Sequence, residues 1–259
     1  MGLSRTRVCF LFVAVVVGGS TRFAAAQQGS PLSSGPWSAA IQTGIAQVMQ
    51  LSLGGTFNQG PAQQNRLTVT RTSLFRSADS LQLYGWTTTD LRKASVDFET
   101  GFRYRAPLRR FAGGTMVGGT GLEHWNYPSV LTGTRDLVLD SYLGWIGGER
   151  FPVTLSGNGK TLLVSDLPRG TFVCVQAQHT FRLFRRRGVS LSIQHGPAYV
   201  YSWGLYGRVG HRVLRYYATP QLSRGRWTVE FMARPQAGLQ PYIPDNGYWF
   251  ISFIRRFGG

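Results

Sequence analysis

The chain has 259 residues and is strongly basic, with 26 Arg and 2 Lys against 11 acidic residues and a net charge of +17 at neutral pH. Beyond residue 26 it keeps one cysteine, Cys174, which excludes an internal disulfide, and it has no apolar run of about 18 residues, which excludes a helical membrane span. Arginine makes bidentate contacts with phosphate and carboxylate groups, so such a chain suits acidic lipid head groups, acidic sugars or nucleic acid.

The first 26 residues have the pattern of a secretory signal peptide. Arg5 and Arg7 precede an apolar run, residues 8–18, that is too short to cross a bilayer as a helix. Three alanines at 24–26 then provide the small residues that a signal peptidase reads, so we predict cleavage before Gln27. An uncleaved membrane anchor is the alternative. Export argues against nucleic acid as the natural partner.

The next segment, residues 27–48, is predicted to be a flexible leader that ends in a short helix. Trp37, Ile41, Ile45, Val48 and Met49 recur at helical spacing, which favours an amphipathic helix within residues 37–50. A first β-strand over the same residues is the alternative.

From residue 49 to the end, apolar and polar residues alternate in segments of about ten residues, separated by Gly, Pro, Asn and Asp. The segment 95–106 is the clearest example, because side chains of a strand point alternately to opposite faces. Its apolar face carries Val96, Phe98, Thr100, Phe102, Tyr104 and Ala106. Its polar face carries Asp97, Glu99, Arg103 and Arg105. The pattern therefore predicts an all-β fold whose strands have one apolar and one charged face.

The alternation defines twelve candidate strands, and ten remain possible. They are residues 49–57, 66–76, 80–89, 95–106, 113–125, 135–147, 150–166, 171–185, 189–203, 210–219, 226–234 and 247–257. The uncertain segment is 150–166, because Gly157, Asn158, Gly159 and Lys160 fit either a hairpin turn or a bulge within one long strand.

Two architectures explain alternating strands, a soluble β-sandwich and a membrane β-barrel. Aromatic residues concentrate near segment ends, as in Trp125 with Tyr127, and the final segment is aromatic almost to the C-terminus, with Trp249, Ile251 and Phe253 in alternation. With its signal peptide, the chain resembles the Gram-negative outer-membrane β-barrel proteins as a class. The resemblance implies a closed antiparallel transmembrane barrel over residues 49–259, contact with outer-membrane lipid, and recognition of the last strand by the barrel insertion machinery.

The resemblance also implies an orientation, because such barrels end in the periplasm. The longer connections then lie outside the cell and the shorter ones in the periplasm, as is usual for this class, and the N-terminal helix lies at the periplasmic mouth or in the lumen. Arginines gather at the periplasmic rim, where they either anchor the barrel to lipid head groups or form a vestibule for acidic solutes. This rim set is Arg109, Arg110, Arg185, Arg186, Arg187, Arg255 and Arg256.

The polar faces of the strands are predicted to line the lumen. The lumen-lining set is Asp97, Glu99, Arg103, Arg105, Asp140, Gln176, Gln178, Arg182, Glu230 and Arg234. Mixed signs favour salt-bridged packing, whereas the basic balance favours anions if the lumen is open. A passive porin-like channel for small anionic solutes is the first hypothesis, and a plugged structural or interaction barrel is the alternative.

An enzyme is the weakest hypothesis. Outer-membrane lipases need a nucleophile beside a base, and no histidine of this chain stands in a His-x-Ser pattern. Glu123, His124 and Asp136 are the nearest approach to a catalytic set, but alternation places Glu123 and His124 on opposite faces. The histidines and Cys174 lack metal-ligand spacing, so neither a metal nor another cofactor is expected.

Overall fold

The computed structural model describes residues 36–47, 60–93, 95–128, 135–148, 151–243 and 245–258, most of which lie in β-strands. No helix within these ranges is both long and apolar enough to span a membrane. The strands are β1 (Trp37–Ala46), β2 (Ala62–Thr72), β3 (Ser80–Asp90), β4 (Val96–Phe111), β5 (Gly114–Asn126), β6 (Arg135–Ile146), β7 (Val153–Val164), β8 (Thr171–Arg186), β9 (Val189–Leu205), β10 (Arg208–Arg224), β11 (Trp227–Ala233), β12 (Gln236–Gly238) and β13 (Trp249–Gly258).

The strands form one closed antiparallel ring. Each strand from β1 to β10 pairs with the next, β10 pairs with β11, β11 pairs with β13, and β13 pairs with β1. Twelve strands complete this ring, and the short β12 is an extra strand that pairs with β10 beyond Pro235. Proline has no N–H to donate, which accounts for the break between β11 and β12. The predicted closed barrel of about twelve strands is thus confirmed.

The N-terminal helix prediction is wrong, because Trp37–Ala46 is strand β1, paired with β2 on one side and β13 on the other. Trp37, Ile41 and Ile45 are spaced by four residues, an even number, so they share one face of a strand as well as one face of a helix. All three are exposed on the outer face. The barrel therefore begins at Trp37 rather than residue 49. The predicted first strand, 49–57, lies outside the described residues.

The glycine-rich segment of β7 is neither a hairpin turn nor a bulge. Gly157, Asn158, Gly159 and Lys160 lie in the middle of the strand and pair without a register shift with β8, and on the other side with β6. Within the predicted segment 150–166, residues 153–164 therefore form one strand.

The two faces of the barrel are the reverse of those in a soluble protein. Along β13 the side chain of Phe253 is 53% exposed on the outer face, whereas its neighbour Ser252 is 0% exposed on the inner face. β4 repeats this contrast, with Phe102 exposed and Asp97 buried. A continuous apolar outer surface of this kind is stable in hydrocarbon rather than in water. The sandwich alternative, which hides apolar side chains inside, is excluded.

Candidate functional site

The candidate site is the interior of the barrel, where polar side chains of many strands meet. Nine residues of the predicted lumen-lining set lie on the inner face. They are Asp97, Glu99, Arg103, Arg105, Asp140, Gln176, Gln178, Glu230 and Arg234. They do not form one group, because those of β4 and β6 lie on one wall, whereas Glu230 of β11 and Arg234, just after β11, lie on another, and Gln176 and Gln178 lie on β8 between them.

A network of ion pairs joins four strands on the first wall. Arg103 Nη2 lies 2.5 Å from Glu123 Oε1, and Arg103 Nε lies 2.9 Å from Asp140 Oδ2. Lys160 forms ion pairs with the same two carboxylates, at 3.5 Å for Asp140. The sequence places these residues on β4, β5, β6 and β7, so the network crosses three neighbouring strand pairs. We name these four residues the β4–β7 network.

Aromatic and amide groups complete the hydrogen bonds of the network. Arg103 donates to the Tyr84 hydroxyl at 3.2 Å, and its guanidinium lies 4.4 Å from the centre of the Tyr84 ring. Trp125 Nε1 donates to Glu123 at 3.0 Å, and Asn158 Nδ2 donates to Asp140 at 2.5 Å. Buried charges are stable when they are both paired and hydrogen-bonded, and here both conditions hold. The network therefore fastens four strands together from the inside.

Sequence reasoning missed Glu123 and Lys160 as members of the interior. Lys160 was hidden by its glycine-rich surroundings, which suggested a turn. Glu123 was considered only as part of a catalytic set with His124 and Asp136. The alternation of residues 113–125 places Glu123 on the face of Gly121 and Trp125, which is the inner face, so this signal was available.

An apolar cluster occupies the interior at the other end of the barrel, away from the β4–β5 turn. Its buried members are Trp125, Tyr127, Val138, Leu162, Phe172, Val200, Leu205 and Val213. Gly204, with φ of 81°, redirects the end of β9 so that Leu205 is 0% exposed. Tyr206 packs on the cluster and donates to Asp136 Oδ2 at 2.6 Å. The β9–β10 turn is thus folded onto the barrel interior and held there.

The second wall, formed by β10, β11 and β12, carries buried arginines. Arg215 is 3% exposed and donates through Nε to the Gln236 carbonyl oxygen at 3.1 Å. Arg234 is 7% exposed, and its guanidinium lies 4.7 Å from the centre of the Tyr248 ring. The charges of Arg215 and Arg234 are close enough to act on each other. We name these two residues the arginine wall.

The carboxylate of Glu230, on the second wall, accepts hydrogen bonds from side-chain amides. Gln221 donates to Glu230 Oε1 at 2.9 Å, and Gln42 lies at 3.4 Å from its other oxygen while donating to Ser252 at 2.9 Å. Glu230 of β11 is thus hydrogen-bonded to Gln221 of β10 and Gln42 of β1, and Gln42 also reaches Ser252 of β13.

The remaining predicted lumen residue, Arg182, does not join the buried group. β7 pairs with β8 only as far as His179, so the later residues of β8 extend past the neighbouring strand and Arg182 is exposed.

The predicted rim arginines also lie at this end of the barrel, around the β4–β5 and β8–β9 turns and at the end of β13. Arg109, Arg110, Arg185, Arg186, Arg187 and Arg255 are exposed, and Arg256 is half-buried and donates to Thr228 at 2.7 Å.

A turn at the same end is held by a carboxylate. Asp79 accepts hydrogen bonds from the amides of Leu74, Phe75 and Arg76 at 2.6, 2.9 and 2.9 Å and from the Tyr104 hydroxyl at 2.8 Å. Burial alone would raise the pKa of the Asp79 carboxyl, but these donors more than offset it, so its pKa lies below the ordinary value.

The residues considered for catalysis have other partners. Glu123 belongs to the β4–β7 network, Asp136 accepts from Tyr206, and the His124 ring lies 5.6 Å from that of Phe98, which is on the outer face of β4. In the part of the chain that the structure describes, no three His, Cys, Asp or Glu side chains gather as a metal site would require.

Comparisons with known proteins match the fold. No protein-family model matches the chain, and no curated protein matches it by sequence. Among solved structures, the barrel is similar to that of an outer membrane channel from Pseudomonas putida F1, with a TM-score of 0.54 and 12% sequence identity over 86% of this chain and 96% of that chain. At this identity the likeness establishes a shared barrel fold.

Proposed function

We propose that this chain is a narrow channel of the Gram-negative outer membrane that prefers small anionic solutes. The observation that carries the proposal is the arginine wall, Arg215 and Arg234, buried on the inner face of a barrel whose outer face is apolar. Positive charge on the inner face of a barrel lowers the electrostatic barrier to anions and raises it to cations. The fold shared with an outer membrane channel supports the same role.

The preference does not arise from the β4–β7 network. Its two cations, Arg103 and Lys160, are matched by two carboxylates within hydrogen-bonding distance, so the group is close to neutral as seen by a passing ion. In the arginine wall, Arg215 donates to the Gln236 carboxamide, and Arg234 lies beside the rings of Tyr217 and Tyr248.

The rim arginines have a separate role in this proposal. At the periplasmic end of the barrel they contact acidic lipid head groups, and the export, membrane insertion and lipid partners follow from the resemblance to outer-membrane barrels. Arg255 illustrates the arrangement, because its guanidinium lies 5.0 Å from the Trp227 ring and 4.9 Å from the Phe257 ring at the barrel end. A cationic side chain that packs against aromatic rings is suited to the membrane interface.

A plugged barrel without transport is the second candidate. The observation that favours it is the apolar cluster, since Leu205 and Val213 close the interior of β9 and β10 with fully buried side chains. The two candidates differ in one measurable property, the passage of ions.

The test is chloride efflux from proteoliposomes that contain the folded barrel, with potassium movement balanced by valinomycin and chloride followed by an electrode. We expect efflux well above that of liposomes prepared with the same protein unfolded by heat before reconstitution. A barrel that is folded in the liposomes, by its heat-modifiable mobility on a gel, and yet releases no chloride would overturn the channel and support the plugged barrel.

A further inference from the structure

Three polar rings lie side by side on the outer face of the barrel, on the neighbouring strands β8, β9 and β10. They belong to His179, His195 and Tyr216, which we name the histidine patch. Each directly follows a residue that is buried on the inner face, so alternation turns each of them outwards. Tyr216 is 41% exposed, and both histidines are half-buried.

The members of the histidine patch are in contact with one another. The Tyr216 hydroxyl is hydrogen-bonded to His195 Nδ1. The ring of His179 lies at nearly a right angle to that of His195, with 5.6 Å between the ring centres. Phe181, on the same face, stacks on His195 at 5.0 Å and lies 4.1 Å from the His179 ring. The patch is therefore one continuous surface across three strands.

The histidine patch lies at the depth of the hydrocarbon layer. A strand of about 11 residues crosses a bilayer, and every stretch of that length within β8, β9 or β10 includes that strand's member of the patch. Acyl chains offer no hydrogen bonds to imidazole and hydroxyl groups, so contact of the patch with lipid is costly. The outer faces of other strands carry exposed apolar side chains instead, such as Ile41 of β1, Leu83 of β3 and Phe253 of β13.

Short side chains beside the histidine patch allow a close approach from outside. Pro197 pairs with Tyr216, and Ala218 pairs with His195, so each of these rings has a small neighbour on the adjacent strand. In membranes, small residues at a contact let two backbones come close enough for polar groups to meet. This face therefore suits contact with another protein better than contact with lipid.

We propose that the outer face of β8, β9 and β10 is the contact surface between two copies of this barrel in the membrane. Imidazole and phenol groups both donate and accept hydrogen bonds, so the histidine patch is complementary to a second copy of itself, as a two-fold contact requires. Because both copies have the same orientation in the membrane, the two-fold axis lies along the membrane normal. The middle strand β9 then faces β9 of the second copy.

The size of this face is sufficient for a pair. Three strands give a width of about 14 Å, and 11 residues give a length of about 36 Å. Each copy thus contributes about 500 Å², or about 1,000 Å² for the pair, which reaches the lower limit for a specific interface. The contact does not depend on whether the lumen passes ions, so the inference goes beyond the channel function proposed above.

Cysteine cross-linking in liposomes tests the contact. Ile193 is the outward residue of β9 next to His195, and Leu83 of β3 is the matched control, because β3 is six strands from β9 in either direction around the ring. Each is replaced by cysteine after Cys174, the one cysteine beyond the predicted signal peptide, is replaced by alanine. With copper phenanthroline as oxidant, we expect most of Ile193→Cys to form dimers and Leu83→Cys to remain monomeric. Equal cross-linking at the two positions, or none at Ile193→Cys, would overturn the contact.

Removal of the imidazole groups should separate the copies. His179→Leu with His195→Leu places leucine against lipid, which preserves the barrel, and heat-modifiable gel mobility checks the fold. The ratio of lipid to protein that halves cross-linking of Ile193→Cys should fall by about threefold or more, the effect of one lost hydrogen bond in a membrane. Tyr216→Phe keeps the ring and removes the hydroxyl, so the same ratio should fall in this variant too.

His124→Leu is the matched control for loss of a histidine. His124 also lies on the outer face, where its ring is 5.6 Å from that of Phe98, but it belongs to β5. Its replacement should leave cross-linking of Ile193→Cys unchanged. Cross-linking that persists without His179 and His195, or that falls equally in His124→Leu, would overturn the role of the patch. A dimer that passes no chloride would retain this contact and remove the channel, whereas a conducting monomer would do the reverse.

Discussion

The two inner walls of this barrel contain arginine in opposite settings. On the first wall Arg103 lies within 2.5 Å of Glu123 and 2.9 Å of Asp140, so its charge is used in joining strands. On the second wall Arg215 and Arg234 contact a carboxamide and aromatic rings. The difference teaches that burial of an arginine does not by itself indicate its role, because the groups around it decide whether its charge stabilises the barrel or acts on a solute.

The largest expected effect is the loss of a network carboxylate. Glu123→Gln leaves Arg103 and Lys160 buried with half of their counter-charge, which should cost about 3–5 kcal/mol in free energy of unfolding. Urea unfolding of the barrel in detergent micelles measures this change. Glu230→Gln is the matched control, because a glutamine can keep the hydrogen bonds that Glu230 makes with Gln221 and Gln42, and its effect should be clearly smaller. Equal losses for the two variants would contradict the contrast between the walls.

The next effect is the coupling between Arg103 and Glu123. A double-mutant cycle with Arg103→Gln and Glu123→Gln should show an interaction energy of about 1–3 kcal/mol, since the two side chains are in direct contact. The same urea measurement supplies the four free energies. Additive losses would mean that the ion pair has no energetic role despite its geometry.

Acid pH should lower the stability that Asp79 provides at the turn between β2 and β3, which lies outside both walls. Because the pKa of Asp79 is lowered in the folded barrel, its contribution to stability is present at neutral pH and is lost as the pH falls through the lowered value. The stability difference between the unmodified barrel and Asp79→Asn should therefore shrink below about pH 4. Urea midpoints of both proteins across the acid range measure it. A difference that stays constant with pH would contradict the assignment.

The smallest expected effect on stability comes from the second wall. Arg215→Gln removes hydrogen bonds to the Gln236 amide and to Tyr217, together with a positive charge that lies near Arg234, so we expect a smaller change in free energy of unfolding than in Glu123→Gln. The same urea assay compares it with Glu123→Gln. A loss as large as that of Glu123→Gln would mean that the second wall is structural as well.

Alternation along the chain was sufficient to predict most of the strands and most inner residues. In residues 95–106 it placed Asp97, Glu99, Arg103 and Arg105 on one face, and all four are on the inner face of β4. It was ambiguous at Trp37, Ile41 and Ile45, where a spacing of four fits strand and helix alike. The strand interpretation became clear only through pairing with β13, a partner more than 200 residues away in sequence.

The partners of the inner residues could not be predicted from alternation. Whether Arg103 meets Glu123 depends on the register between β4 and β5, where Arg103 pairs with Gly121. The arginine wall depends on Pro235, which interrupts β11 and brings Gln236 opposite Arg215. A shift of one residue in either register would send these side chains to the other face.

The reversal potential of the folded barrel in a planar bilayer under a potassium chloride gradient tests the central claim most directly. Our account predicts a potential whose sign reports chloride preference and which moves towards zero in Arg215→Gln with Arg234→Gln, while Arg135→Gln with Arg169→Gln leaves it unchanged. A potential that reports cation preference, or a folded and inserted barrel that carries no current, would contradict it.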